Sequence, residues 1–267
     1  MLTVETYQTI QQAAGALHGR SRYLGGGTLV MRAVNYADQD FDHLVRTRDP
    51  NLRAIQIEGA RIRIGAGCTM ADIIGAADTA FLAPVARAIG GPAIRNMATV
   101  GGNLFAPHPY GDLATALLAL DGIARLTDGS EQPVEALLAT RNQIRGLATS
   151  ITVVRPMGDD FRFLKVSRVK PKGVSVMSIA VWTPRSGGRI SGARVAYGAM
   201  GPTPLRAKAA ERALEGATRD RSGIAAALAV ATDGLSPADD SLASAWYRRE
   251  VAPVHLRRVL LGEDDTR

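Results

Sequence analysis

The sequence is poor in the residues that build several common kinds of site. Its one cysteine, Cys68, cannot form an internal disulfide and belongs to no C-x-x-C cluster for zinc or iron–sulfur binding. The four histidines, His18, His43, His108 and His255, are far apart in the chain, and neither H-E-x-x-H nor G-x-x-x-x-G-K-[ST] is present. We therefore predict no metal site and no P-loop, and we expect Cys68 to be a small buried hydrophobic residue.

Long apolar runs and aromatic side chains are also scarce. No segment approaches the roughly 18 uninterrupted apolar residues of a transmembrane helix, and aromatic residues make up 5% of the chain. The first residues, Met1–Gln12, show no basic stretch followed by an apolar core, so we expect no secretory signal and a cytoplasmic protein. The net charge is +7 without a dense basic run, which argues against nucleic-acid binding and favours a solvated surface or an acidic partner.

Hydrophobic patterns divide the chain into three predicted regions, 1–53, 54–157 and 158–267. The first contains a predicted amphipathic helix, Thr9–Gly19, with apolar residues at helical spacing. The second opens with alternating apolar and polar residues on both sides of the turn Gly59-Ala60, which predicts a pair of half-buried strands.

Later in the second region, the sequence carries helix start and stop signals. Thr69 is a predicted N-cap, and a helix over Ala83–Ile89 is predicted to stop at Gly90-Gly91-Pro92. Asp112 precedes an apolar helix, Leu113–Leu120. Its carboxylate could cap this helix, or it could accept hydrogen bonds from the hydroxyl groups of a sugar.

The sequence of the third region predicts strands followed by helices. The predicted strands are Phe161–Val169, Val174–Trp182 and Arg189–Tyr197, and the predicted helices are Leu205–Leu214, Ile224–Ala231 and Leu242–Leu261. Gly187-Gly188 predicts a hairpin turn between the last two strands. This order favours an α+β layer in which helices pack on one face of an antiparallel sheet.

Two glycine-rich segments are the strongest candidates for a ligand site. They are Tyr23-Leu24-Gly25-Gly26-Gly27-Thr28-Leu29-Val30 and Ala98-Thr99-Val100-Gly101-Gly102-Asn103. Because consecutive glycines lack Cβ atoms, their backbone N–H groups can approach and converge on an anion. Each segment alone is weak evidence for a ligand site, because neither has the G-x-G-x-x-G spacing of a dinucleotide-binding loop. Two such segments together suit a pyrophosphate better than one.

The same segments carry a family resemblance. The stretches Gly91–Leu104 and Gly111–Asp121 closely resemble the FAD subunits of the xanthine dehydrogenase and carbon monoxide dehydrogenase family. Tyr23–Val30, Val195–Pro204 (VAYGAMGPTP) and Ser244–Arg249 (SAWYRR) are similar to further segments of that family, in the same order. The resemblance therefore covers nearly the whole chain.

The resemblance implies a fold and a cofactor. It implies an α+β protein with an FAD-binding domain of the vanillyl-alcohol-oxidase (PCMH) type in two subdomains, 1–53 and 54–157, followed by a C-terminal α+β domain, 158–267. It further implies that FAD is held non-covalently, with Tyr23–Val30 around its pyrophosphate and the second glycine segment as the opposite wall. By the same resemblance, Asp112 would hold sugar hydroxyls, and Lys165 would lie near the flavin, although a solvated strand position is the alternative for Lys165.

The chain also departs from the family pattern. Leu29 stands where relatives usually have Asp, and the segment Ser167–Val174 lacks the aromatic residue that relatives often place near the flavin. His108 lies where small residues are frequent and is expected to be a loop residue, with a cofactor contact as the alternative.

The function that the resemblance implies is electron transfer without a catalytic residue in this chain. Partner subunits would carry molybdopterin and two [2Fe–2S] clusters, and electrons would pass through FAD to an external acceptor in a dimer of heterotrimers. Two alternatives are a stand-alone flavin oxidase of the same fold and a nucleotide-binding regulatory module.

Overall fold

The computed structural model describes residues 1–37, 39–144, 146–169 and 173–263. The strands, in chain order, are β1 (Thr3–Tyr7), β2 (Ser21–Tyr23), β3 (His43–Thr47), β4 (Ile55–Glu58), β5 (Arg61–Gly65), β6 (Ile123–Leu126), β7 (Glu131–Pro133), β8 (Ala148–Val154), β9 (Phe161–Val166), β10 (Met177–Trp182), β11 (Arg185–Ser186), β12 (Arg189–Ile190), β13 (Arg194–Gly198) and β14 (Leu205–Arg206).

The helices, in chain order, are α1 (Ile10–Gly15), α2 (Val30–Asn35), α3 (Met70–Gly75), α4 (Ala83–Arg87), α5 (Pro92–Arg95), α6 (Val100–Leu104), α7 (Asp112–Ala119), α8 (Val134–Thr140), α9 (Lys208–Leu214), α10 (Ala225–Ala229) and α11 (Ala245–Leu261). The chain divides into two compact units. The first consists of Met1–Ala106 with Ile123–Val153, and the second of Pro107–Gly122 with Val154–Arg267.

A small parallel sheet opens the first unit, with strand order β1-β3-β2. The chain returns from β1 to β2 through α1, whose N-cap Thr9 forms a capping box with Gln12. The helix predicted over Thr9–Gly19 is confirmed at its start but ends at Gly15.

The second sheet of this unit has the strand order β4-β5-β8-β6-β7. The predicted strand pair is confirmed, because β4 and β5 pair antiparallel around Gly59, which has a left-handed φ of +62°. Ile62 and Ile64 of β5 are fully buried, as the alternating pattern requires.

The helix signals of the first unit are largely confirmed. Thr69 caps α3 and forms a capping box with Asp72. Helix α4 ends before Gly90, as predicted, and Pro92 is the first residue of α5, because proline has no N–H to lose at a first helical position.

The second unit contains an antiparallel sheet with strand order β14-β13-β10-β9. The predicted hairpin turn is confirmed, with Gly187 and Gly188 at φ +56° and +77° between β11 and β12. One face of the sheet, including Ile179, packs with α9, α10 and α11 in a buried apolar cluster. The other face contacts α7, where Thr115 and Ser178 form a hydrogen bond of 3.1 Å.

Two predicted helices begin three residues later than expected, and one of them is α11, which starts at Ala245 after its N-cap Ser244 instead of at Leu242. The other is α9. Leu205 and Arg206 form β14 and pair with Tyr197 and Ala196, so α9 begins only at Lys208. The prediction that the helix starts at Leu205 is therefore wrong, because pairing with a neighbouring strand outweighs local helical spacing.

Candidate functional site

The carboxyl ends of two parallel strands lie at one edge of the small sheet. Tyr23, the last residue of β2, pairs with Val45 of β3, and the chain continues from β2 into the loop Gly25–Thr28. β3 ends at Thr47 and continues into the segment Arg48–Arg53. Ligands of parallel sheets commonly bind at this edge, because the loops that follow neighbouring strands start side by side there.

The first glycine loop offers unpaired backbone donors. Leu24 still donates its amide to the carbonyl oxygen of Val45, at 2.7 Å. Within the part of the chain that the structure describes, the amides of Gly25–Thr28 donate to no protein acceptor. Gly27 has a left-handed φ of +74°. Consecutive free N–H groups in such a turn can donate together to an anion.

The second glycine segment is a helix rather than a loop. It forms α6, Val100–Leu104, whose N-cap Thr99 accepts a hydrogen bond from the Gly102 amide at 3.1 Å. The Gly101 amide donates to the carbonyl oxygen of Ala66 at 2.8 Å, and the neighbouring amides also donate within the chain. The prediction that these amides are available to an anion is therefore wrong.

The two glycine segments nevertheless meet. A Cβ atom placed on Gly26 would lie 1.6 Å from the carbonyl oxygen of Met97, and one on Gly25 would lie 3.1 Å from Thr99 Oγ1. The backbone of the first loop thus lies directly against the segment that precedes α6. Glycine is required at position 26 because no side chain fits there.

A cavity of about 510 Å³ opens between these segments in the first unit. Six of the predicted cofactor residues line it: Tyr23, Gly25, Gly26, Thr99, Gly101 and Gly102. The other described lining residues were not predicted from the sequence, and they include Arg48, Arg53, Asn96 and Phe105. The position of Arg48 and Arg53 directly after a parallel strand is the signal that could have identified them.

The other predicted cofactor residues lie elsewhere. In the first unit, the described lining of the cavity does not include Leu24, Gly27, Thr28, Leu29, Val30, Ala98, Val100 or Asn103. Asp112 and Lys165 belong to the second unit.

The cavity has cationic side chains at its surface. Arg48 and Arg53 are exposed, and in the described ranges neither side chain forms an ion pair or a hydrogen bond. Asp49 lies between them, but its Oδ1 accepts the Asn51 amide at 3.0 Å and its Oδ2 accepts the Ile10 amide at 3.1 Å. Arg48 and Arg53 therefore line the cavity without an ion-pair partner in the described ranges, and the Asp49 carboxylate lines the same cavity.

Two titratable side chains near the cavity stay neutral. Burial, followed by the charge of Asp49, raises the pKa of Tyr23 to about 12. Burial, followed by the charge of Asp72, raises the pKa of the Cys68 thiol to about 11. Cys68 is fully buried, which confirms the expectation of a small hydrophobic residue rather than a nucleophile.

In the second unit, Asp112 and Lys165 form a buried ion pair. Lys165 Nζ lies 3.0 Å from Asp112 Oδ2, and the exposed fractions of the two side chains are 11% and 7%. The buried Ser175 hydroxyl donates to Asp112 Oδ1. The alternative of a solvated Lys165 is therefore wrong.

Asp112 is also not the N-cap of its helix. Gly111 occupies that position with a left-handed φ of +91°, and Asp112 is the first helical residue. Its carboxylate contacts Ser175 and Lys165. The capping interpretation is therefore wrong, and the sugar-binding interpretation stays a prediction.

His108 also has a specific partner in the second unit. Its Nε2 lies 2.8 Å from Asp240 Oδ2, which also accepts a hydrogen bond from Arg248 at 2.7 Å. His108 is thus a loop residue that is hydrogen-bonded to Asp240, and its contact with a cofactor stays a prediction.

The described ranges contain no group of three or more His, Cys, Asp or Glu residues placed to hold a metal ion. No helix in them combines the length and apolar character needed to span a membrane.

Family models match most of the chain. A model described as the FAD binding domain in molybdopterin dehydrogenase matches residues 1–146. A second model, described as the CO dehydrogenase flavoprotein C-terminal domain, matches residues 162–262.

Individual proteins match over similar lengths. The carbon monoxide dehydrogenase medium chain of Afipia carboxidovorans is 30% identical over 256 residues, covering 90% of this chain and 88% of that protein. The xanthine dehydrogenase FAD-binding subunit of Escherichia coli O157:H7 is 26% identical over 263 residues, covering 90% of this chain and 88% of that subunit. Among solved structures, a chain of carbon monoxide dehydrogenase from Hydrogenophaga pseudoflava, in a form lacking the Mo-pyranopterin moiety of the molybdenum cofactor, superposes with a TM-score of 0.86. It is 25% identical, and the match covers 97% of this chain and 96% of that one.

Proposed function

The chain belongs to the family of FAD-binding domains in molybdopterin dehydrogenases, and we propose that it is the subunit that holds FAD in a multi-subunit molybdenum hydroxylase. The predicted family and the predicted fold, an FAD-binding domain followed by a CO dehydrogenase flavoprotein C-terminal domain, are confirmed by these matches and by the solved structure.

The loop Gly25–Thr28 is the observation that carries the proposal. It places successive unpaired amides beside a cavity of about 510 Å³, at the carboxyl edge of a parallel sheet. The close approach of Gly26 to the Met97 carbonyl leaves no room for a side chain at position 26. The residues present therefore fit the diphosphate of a dinucleotide, which needs backbone donors and close approach.

The chain's own contribution is binding and positioning. The Gly25–Thr28 amides would hold the diphosphate, and Thr99, Gly101 and Gly102 would line the opposite wall. FAD, when bound, supplies one- and two-electron redox chemistry. The neutral Tyr23 and Cys68 neither donate nor accept a proton near pH 7, because their pKa values of about 12 and about 11 lie far above it.

For the second unit we propose separate roles. After the contacts with Ser175 and Lys165, the Asp112 carboxylate retains lone pairs that could accept hydrogen bonds from sugar hydroxyls. The Lys165 ammonium, held by Asp112, supplies a fixed positive charge for the flavin ring.

Two further assignments, the domain boundaries and the partner subunits, complete the proposal. We propose that a division at residue 53 separates two FAD subdomains and that one at residue 157 separates them from the C-terminal domain. The gap between the matched ranges 1–146 and 162–262 supports the second division. We propose that large and small partner subunits carry molybdopterin and two [2Fe–2S] clusters in a cytoplasmic dimer of heterotrimers. The words "medium chain" and "subunit" in the names of two relatives support the existence of partner chains.

The test begins with the purified chain. It should bind added FAD, turn yellow and release the flavin after acid denaturation. When the chain is coexpressed with its two partners, a hydroxylase substrate should bleach the flavin only in the three-chain complex. A chain that stays colourless in excess FAD would contradict the proposal, and bleaching of the isolated chain would favour a stand-alone oxidase.

A further inference from the structure

We propose that Arg48 and Arg53 form, together with the Gly25–Thr28 amides, a subsite for the diphosphate of a nucleoside diphosphate, so that this chain also binds free ADP. The inference rests on the proposed function, because the natural occupant would be the diphosphate of FAD. The glycine segments were predicted from the sequence to bind the cofactor, whereas Arg48 and Arg53 were not among the predicted cofactor residues.

The sheet brings the two parts of the subsite to one place. β2 and β3 are parallel, with Tyr23 opposite Val45, so the segments that leave them start at the same edge. Both segments line the same cavity, the first through Gly25 and Gly26 and the second through Arg48 and Arg53.

The segment that carries the arginines is held rigidly. Asp49 fixes it through the Ile10 amide, and the Asp49 amide donates to Thr47 Oγ1 at 3.1 Å. The buried Leu52 accepts a hydrogen bond from the Gly67 amide at 2.8 Å. The backbone on either side of Arg48 and Arg53 is therefore fixed before a ligand arrives, which lowers the ordering cost of binding.

The charges of this segment favour an anion. The Asp49 carboxylate is occupied by two backbone amides, whereas Arg48 and Arg53 form no ion pair or hydrogen bond in the described part of the chain. A phosphate would therefore not have to displace a carboxylate. Guanidinium groups donate two parallel hydrogen bonds to phosphate oxygens, which a point charge does not.

The experiment measures equilibrium binding of FAD and of ADP to the full chain over a series of salt concentrations. The variants are Arg48→Gln, Arg53→Gln and the double variant. Arg125→Gln serves as the matched control, because Arg125 is an exposed arginine on β6 that does not line this cavity. We expect each single substitution to weaken FAD and ADP by roughly tenfold, the scale of one charge-assisted hydrogen bond.

The salt dependence of ligand affinity shows whether the arginines act through their positive charge. We expect the affinity of the wild-type chain to fall as salt rises and that of the double glutamine variant to depend much less on salt. A variant with lysine at both positions should keep the salt dependence but regain only part of the affinity. Lysine keeps the positive charge but lacks the two parallel donors of the guanidinium group. Melting temperatures should stay unchanged, since both side chains are exposed.

The outcomes distinguish this inference from the proposed function. FAD binding that is equal in all variants, or weakened with an unchanged salt dependence, would overturn the arginine subsite and leave the flavin assignment standing. Arginine-dependent binding of ADP without any binding of FAD would support the subsite and contradict the proposal that this chain holds FAD. A wild-type chain that binds neither ligand would overturn both.

Discussion

Lys165 Nζ lies 3.0 Å from Asp112 Oδ2, and both side chains are almost fully removed from solvent. The two residues were predicted separately as cofactor contacts, and the structure joins them into one buried ion pair. Ser175 donates to the second carboxylate oxygen, so the pair is also hydrogen-bonded. Removing one partner of such a pair destabilises the folded state, because the buried charge that remains has no water to solvate it.

The first prediction concerns this pair. Lys165→Met should lower the free energy of unfolding by about 3 to 5 kcal/mol, the usual cost of leaving one buried charge unpaired. Asp112→Asn should also lower it, since asparagine keeps the acceptor for Ser175 but loses the charge that attracts Lys165. The double variant should be more stable than the sum of the single effects implies, and urea unfolding in a double-mutant cycle measures this coupling. Purely additive effects would show that the two charges do not stabilise each other.

The second prediction concerns the contact between Gly26 and Met97. Gly26→Ala should lower the unfolding free energy by about 1 to 3 kcal/mol and abolish retention of FAD, because its Cβ would overlap a backbone carbonyl and push the first loop outward. Gly75→Ala is the control, since a Cβ there meets no atom within 4 Å. We expect the control to bind FAD like the wild-type chain. FAD retention by Gly26→Ala would show that the two segments separate without loss of the site.

Local patterns predicted what local interactions determine. The Thr69 capping box with Asp72 and the turn at Gly59 depend on residues a few positions apart, and both are present as expected. The same is true of the hairpin at Gly187-Gly188, where the turn geometry demands left-handed backbone.

The site itself depends on contacts that no local pattern contains. Asp112 reads as an N-cap next to an apolar helix, yet its partners are Ser175 and Lys165, more than fifty positions away in sequence. The amides of the second glycine segment look free in sequence, but Gly101 donates to Ala66 on another segment of the first unit. Both features depend on contacts between segments that are far apart in the sequence.

The third prediction concerns alkaline stability. Burial raises the pKa of the Cys68 thiol from the ordinary 9.0 to about 11 in the folded chain. Between these two values the folded state keeps a proton that the unfolded state has lost, so the free energy of unfolding should fall as pH rises from 9.0 to about 11. Cys68→Ala should remove this contribution, and Tyr23→Phe should leave it in place.

Urea unfolding at a series of pH values measures the effect. The native thiol should also react slowly with a thiol reagent at neutral pH and rapidly once the chain is unfolded. Equal pH slopes in the wild-type and Cys68→Ala chains would show that the thiol does not contribute.

The last prediction assigns a structural role to the SAWYRR motif. Arg248 is 1% exposed, and its guanidinium donates to the carbonyl oxygens of Val176, Ala238 and Ala243 as well as to Asp240. It therefore joins α11 to the start of β10 and to the segment before the helix. Removing it would leave three carbonyl groups and a carboxylate without their donor.

Arg248→Met should therefore lower the free energy of unfolding by more than about 3 kcal/mol. Arg248→Lys should recover only part of this loss, because an ammonium group cannot reach all four acceptors of the planar guanidinium. Arg249→Met is the matched control: its side chain is the exposed neighbour on the same helix and should change stability by no more than about 0.5 kcal/mol. Denaturant unfolding of the three variants decides the matter. If Arg248→Met were as stable as Arg249→Met, the motif's arginine would have to be retained for another reason, such as contact with a partner subunit.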